Sequence, residues 1–131
     1  MWTKTLALLT ILATLPGEAL SDTTMGKTLF QIHCAMCHGA TAIGNGRIAG
    51  VLTIPPPDLT MLAQSYEGFP TDYVVRRIDG SERLKSHGDP MPVYTLLFEG
   101  PMEVLETPTG AEIAAPEAIA DIVAWLESIQ R

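Results

Sequence analysis

The sequence predicts one small all-α domain behind a removable leader. Three observations carry that expectation. Apolar residues recur at helical spacing just after residue 23 and again near the C-terminus, glycine and proline punctuate the chain between them, and 131 residues allow a single core. Residues 1–21 begin with Lys4, run through an apolar stretch from Leu6 to Leu15, break at Pro16-Gly17 and reach Ala19-Leu20-Ser21. That is the layout of a secretory signal peptide, with Ala19 and Ser21 three and one before a cut. The expected division is a leader over 1–21 and a mature domain over 22–131. The apolar stretch is about half of the ~20 residues a membrane-spanning helix needs, so no stable membrane insertion is expected.

The first helix is expected from Thr24 to His33, where Met25, Leu29 and Ile32 share a face with Phe30 beside them and Thr23 or Thr24 caps. Residues 39–57 carry four glycines and the triplet Pro55-Pro56-Pro57, which suits an ordered wrapping loop rather than a long regular element. A short helix is expected after Asp58. Another starts with Thr71 as cap, places Tyr73, Val74 and Ile78 opposite Arg76 and Arg77, and stops at Gly80. A loop from Ser81 to Val93 follows, then one or two helical turns over Tyr94 to Phe98. Val104, Leu105 and Ile113 around Pro108-Thr109-Gly110 fit two short extended pieces about a turn, though a plain loop is equally permitted. The last helix opens at Pro116, has Glu117 and Asp121 near its positive end, and carries Ile119, Ile122, Val123, Leu126 and Ile129 as its stripe.

The formal charge is −7, from 8 basic and 15 acidic residues, which argues against a nucleic-acid partner. Arg76, Arg77, Arg83 and Lys85 concentrate the positive charge, whereas Asp89 to Gln130 contains no lysine or arginine. Such asymmetry is a feature a charged partner would feel.

Only two cysteines are present, and both lie in Cys34-Ala35-Met36-Cys37-His38. Two cysteines three apart share one helical face, so both sulfurs can reach the vinyl groups along one edge of a haem. The adjacent His38 can then ligate the iron while two thioethers hold the group permanently. A thioredoxin-like pair would need a preceding strand and a βαβ surround. A closed zinc site would need every histidine, including His33 and His87. Covalent haem c, with its iron, is the economical account. On the opposite face of the iron the candidates are Met91, Met102, Met61 and His87. Met91 is preferred because Pro90 and Pro92 restrict its backbone, with Met102 as its rival.

Together with Pro55-Pro-Pro-Asp-Leu-Thr60, Met91-Pro-Val-Tyr94 and Ile122-Val-Ala-Trp125-Leu126, the attachment string resembles the class I (mono-haem) cytochrome c family over nearly the whole mature chain. The resemblance implies crossed N- and C-terminal helices around one covalently bound haem, with Gly26 and Phe30 meeting Ile122 and Trp125. It implies that a carbonyl among Pro55 to Pro57 accepts the proton of His38 Nδ1. Tyr94 stands where the family often has a tryptophan that holds a haem propionate, and Arg47, Arg76 and Arg77 are further propionate candidates. The acidic segment Glu99 to Glu117 departs from a minimal member.

The expected function is a periplasmic single-electron carrier of Gram-negative bacterial type, not an enzyme. Cys34, Cys37, His38 and Met91 bind the cofactor, with His38 and Met91 on the metal. Its partners are redox proteins: a dehydrogenase or membrane complex, and an oxidase or reductase. It acts as a monomer or as a subunit of a redox complex. The alternatives are a permanent subunit of a dehydrogenase, or a peroxidase or gas sensor with an open sixth site.

Overall fold

The computed structural model describes residues 21–82 and 91–131. The leader before Ser21, together with His87 and Pro90 of the Met91 loop, lies outside the described residues. The elements in chain order are α1 (Thr23–His33), α2 (Ala35–His38), a 3-10 turn (Ala49–Val51), a second (Leu59–Met61), α3 (Leu62–Ser65), α4 (Thr71–Asp79), β1 (Met102–Glu106), β2 (Glu112–Pro116) and α5 (Glu117–Ser128). Among the described residues no helix is long and apolar enough to cross a membrane.

α1 and α5 form the main helix pair. α1 begins because the Asp22 side chain accepts the amides of Thr24 at 2.8 Å and Met25 at 3.2 Å, so the cap is Asp22 rather than Thr23 or Thr24. Its inner face also differs from the expected stripe. Gly26, Phe30 and Cys34, four apart, are buried, whereas Met25 is 49% and Ile32 66% exposed. Gly26 decides this. A Cβ there would stand 1.9 Å from the Asp121 carbonyl oxygen and 2.4 Å from its carbon, so only glycine allows the two backbones to touch. One turn on, the Phe30 and Trp125 rings pack with centroids 4.6 Å apart.

α5 buries Ile119, Ala120, Ile122, Val123, Trp125 and Leu126, and with them Asp121. Asp121, expected to serve only the helix dipole, is 5% exposed and accepts the Asp22 backbone N–H at 2.5 Å. Pro116 ends β2 and precedes the helix rather than opening it.

The fold is not purely helical. β1 and β2 pair antiparallel, Met102 opposite Pro116 and Glu106 opposite Glu112, about a turn in which Gly110 takes a left-handed conformation. The all-α expectation therefore holds for the core and not for this hairpin. Period-2 burial along five residues of β1 is too short a signal to override the helical pattern elsewhere. Helix α4 starts at Thr71 without a side-chain cap and stops at Gly80 in the left-handed conformation. Tyr94 to Phe98 makes a single hydrogen-bonded turn, the shorter of the two expected lengths, with the Leu97 and Phe98 amides both donating to the Tyr94 carbonyl.

Candidate functional site

A cavity of about 460 Å³ opens between α1–α2, the Pro55–Leu62 chain, α4 and the Met91–Tyr94 chain. That volume is within the range of small-molecule and cofactor sites. Cys34, Cys37 and His38 line it, and so do Met91, Pro92 and Tyr94. Phe30, Leu59, Leu62, Val74, Ile78, Ile122 and Leu126 make the apolar floor. The four residues singled out by sequence are thus walls of one cavity. Met102 and Met61 do not line it, and Met102 stands 61% exposed on β1.

Local folding explains the donor side. Cys34 ends α1 with its amide on the Phe30 carbonyl, and its own carbonyl accepts from Cys37 and His38, so the string is held in one tight turn. Burial pushes the Cys34 thiol up to about 12, with the neighbouring Cys37 adding to the shift. A thiol so reluctant to ionise is a poor nucleophile, which weighs against a thiol-exchange pair. Burial also lowers the His38 pKa, and the Arg77 charge lowers it further, so the imidazole is held neutral and able to donate a lone pair to a metal.

The hydrogen bond that the resemblance implied for His38 is not made. Nδ1 is buried without a partner. The Pro56 carbonyl instead faces Gly44, where a Cβ would lie 2.4 Å from that oxygen, and the Gly44 amide donates to the His38 carbonyl. The loop therefore supports His38 through its backbone rather than its ring.

Tyr94 is the second correction. Its hydroxyl donates to the His33 carbonyl at 2.9 Å, so its one proton is spent on the end of α1 rather than left for a propionate. Burial raises its pKa, and the two cysteines add to the effect. The bond has a structural consequence: the chain after Met91 is tied to the residue just before Cys34. Of the arginine candidates, Arg77 lines the cavity. Arg47 is exposed and away from it, and Arg76 is engaged by Asp72 and Glu82.

Sequence reasoning missed Tyr66 and Tyr73. Both line the cavity beside Arg77, with rings stacked at 5.3 Å. Six residues lie between them, including the irregular Gly68-Phe69-Pro70 stretch, so no single helix joins them. Also missed was the C-terminal clasp. Gln130 accepts the Ala63 amide and donates to the Leu59 and Leu126 carbonyls, while Arg131 bonds Thr60 and Asp58. The clasp fixes α5 to the Pro55–Leu62 wall. Its residues are polar and terminal, a context usually read as frayed.

A cytochrome c family model matches residues 24–130. The chain belongs to the cytochrome c family. No curated protein and no solved structure matches it. Members of the family carry covalent haem c with its iron and serve haem-based electron transfer. The cytochrome's own geometry fits that group: an apolar cavity is lined by both thiols, by an imidazole whose lowered pKa keeps it neutral and able to ligate, and by the Met91 thioether. Among the described residues no three His, Cys, Asp or Glu side chains converge as an alternative metal site.

Proposed function

We propose that this cytochrome is a class I, exported, periplasmic carrier of single electrons. In this reading residues 1–21 are cut off, Cys34 and Cys37 hold one haem c by thioethers, and His38 and Met91 ligate its iron. The observation that carries it is the placement of those four side chains around one apolar cavity, with Met102 and Met61 outside. When bound, the group supplies a metal that changes oxidation state by one electron with little change in structure. The chain's residues supply the rest. A neutral His38 and a thioether from Met91 favour the reduced state, and so does a low-dielectric floor, so the potential is expected to be high. Arg77, Tyr66 and Tyr73 offer a cation and phenols at one part of the wall, suited to the cofactor's carboxylates.

No substrate is converted in this reading. Electrons arrive from a dehydrogenase or membrane complex and leave to an oxidase or reductase through brief, salt-sensitive encounters. A second reading, a permanent subunit of a larger dehydrogenase, draws support from exposed apolar side chains along one stretch of chain. Leu96 is 85% exposed, with Leu97, Met102 and Val104 also open. Co-purification of the native protein with a stoichiometric partner selects that reading over a free shuttle.

The test is spectroscopic. Protein exported by a maturation-competent host should gain the mass of one haem and show a sulfur-to-iron charge-transfer band when oxidised. Met91→Ala should abolish the band and lower the potential, and Met102→Ala should do neither. Free thiols on an intact exported chain, or the reverse response of the two methionine variants, would sink the proposal.

A further inference from the structure

Against the start of α1 lies a buried α5 carboxylate that has no cationic partner among the described residues. Asp121 is 5% exposed, and the charges acting on it are all negative: Glu103 from β1, Glu117 from the first turn of α5, and Asp22. Among the described residues no lysine or arginine pairs with it. With Ser21 attached, burial holds the Asp121 carboxyl above the ordinary carboxylate range, eased only by the Asp22 backbone N–H. A buried carboxylate served by a neutral amide is poorly compensated, because desolvation disfavours its charged form.

The atom that touches it is the nitrogen of Asp22, 2.5 Å from Asp121 Oδ1. Independently of that contact, Ala19 and Ser21 place small residues three and one before the Ser21–Asp22 bond, the spacing a leader peptidase reads. We propose that Asp121 is a built-in counter-ion for the α-ammonium of Asp22, created when the leader is cut between Ser21 and Asp22. Water adds across that peptide bond, the Ser21 carboxyl departs with the leader, and the Asp22 amine takes a proton from solvent. The same nitrogen then carries a full charge and three donors in place of one.

The surroundings suit this. The Asp22 carboxylate is occupied with the Thr24 and Met25 amides, so it is not competing for the new charge. Glu103, to which the Ser21 hydroxyl donates at 3.1 Å in the uncut chain, becomes a second carboxylate near the ammonium. Four residues on, Gly26 lies against the backbone of the same Asp121, so the ion pair would lock the first turn of α1 onto the point where the helices touch. Processing would thereby tighten the α1–α5 seam only after export.

The inference rests on the export reading, and one experiment separates the two. The haem-loaded protein is recovered from the periplasm of a maturation-competent host, and its first residue is read by N-terminal sequencing. The α-amino group is titrated by NMR in three forms: wild type, Asp121→Asn, and a chain with one glycine added before Asp22. Expected are Asp22 as first residue, an α-amino pKa about one unit above the ordinary ~7.7–8.0, and a return to that range in Asp121→Asn and in the extended chain. Because this pKa is raised on folding, the added stability is full below about pH 8 and fades as pH climbs through the folded value. The thermal midpoint of wild type should accordingly exceed that of the extended chain at pH 7 and converge with it at pH 10. An ordinary α-amino pKa in wild type, or a gap between midpoints that does not depend on pH, overturns the pairing. A cut elsewhere overturns the pairing while leaving export intact, and an uncut leader overturns both.

Discussion

The two walls of the cavity are built by different means. On the histidine side, Cys34, Cys37 and His38 follow directly from α1, and α1 is clamped to α5 by a backbone contact at Gly26 and by the tilted Phe30–Trp125 ring contact. On the methionine side, the chain after Met91 is held by one core side chain, Phe98, and by scattered hydrogen bonds: Tyr94 hydroxyl to the His33 carbonyl, Tyr94 amide to the Ile78 carbonyl, and Thr95 hydroxyl to the Asp79 carbonyl. One wall is a packed helix seam and the other a tethered loop. The first should fail only with the whole fold, whereas the second can open while the seam stays closed.

Truncating the seam should cost most. Trp125 is 7% exposed and packs its ring at a tilt against Phe30, so Trp125→Ala is expected to destabilise the haem-loaded protein by about 3–5 kcal/mol, read as a fall in the urea midpoint by far-UV circular dichroism. If the loss is under about 1 kcal/mol, the seam is not the rigid wall. Gly26→Ala comes next. Alanine gains up to about 1 kcal/mol of helix propensity, yet its methyl would meet the Asp121 backbone, and overpacking of that kind costs about 3 kcal/mol. The expected net loss is about 2 kcal/mol. Gly50→Ala is the control, since a Cβ there meets nothing within 4 Å and should shift stability by less than about 0.5 kcal/mol.

The same contrast explains what was legible in the sequence. The seam and the attachment string are local or periodic: Cys34, Cys37 and His38 are neighbours, and the α5 stripe repeats every three or four residues. The existence of most elements followed, as did the hairpin among the alternatives for residues 99–115. What escaped are contacts between residues far apart in the chain. Asp22 was overlooked as the cap because two threonines beside it also qualify by type. Met25 and Ile32 fit the helical period but not the inner face, because a glycine rather than a large side chain marks the closest approach. Tyr94 was assigned by its position after Met91, yet its hydroxyl turns to His33, 61 residues earlier. Tyr66 with Tyr73, and the Gln130–Arg131 clasp, depend on loop geometry that no periodicity encodes.

The smallest expected effect is the sharpest test of the two-wall picture. Tyr94→Phe removes one part-buried hydrogen bond and keeps the ring, which stacks on Phe98 at 5.5 Å, so global stability should fall by only about 1 kcal/mol. The loss falls on one wall. With the His33 carbonyl released, the chain after Met91 keeps the Tyr94 amide and Thr95 hydrogen bonds and the packing of Phe98, while α1 loses that one bond at its last residue and its contacts with α5 are untouched. In the haem-loaded variant the charge-transfer band should therefore vanish at lower urea than the helical signal, whereas in wild type the two transitions should lie closer together. Coincident transitions in both proteins would mean that the methionine side is carried by the same cooperative unit as the seam, and that the tether through Tyr94 is one hydrogen bond among many rather than the hinge pin of a separate wall.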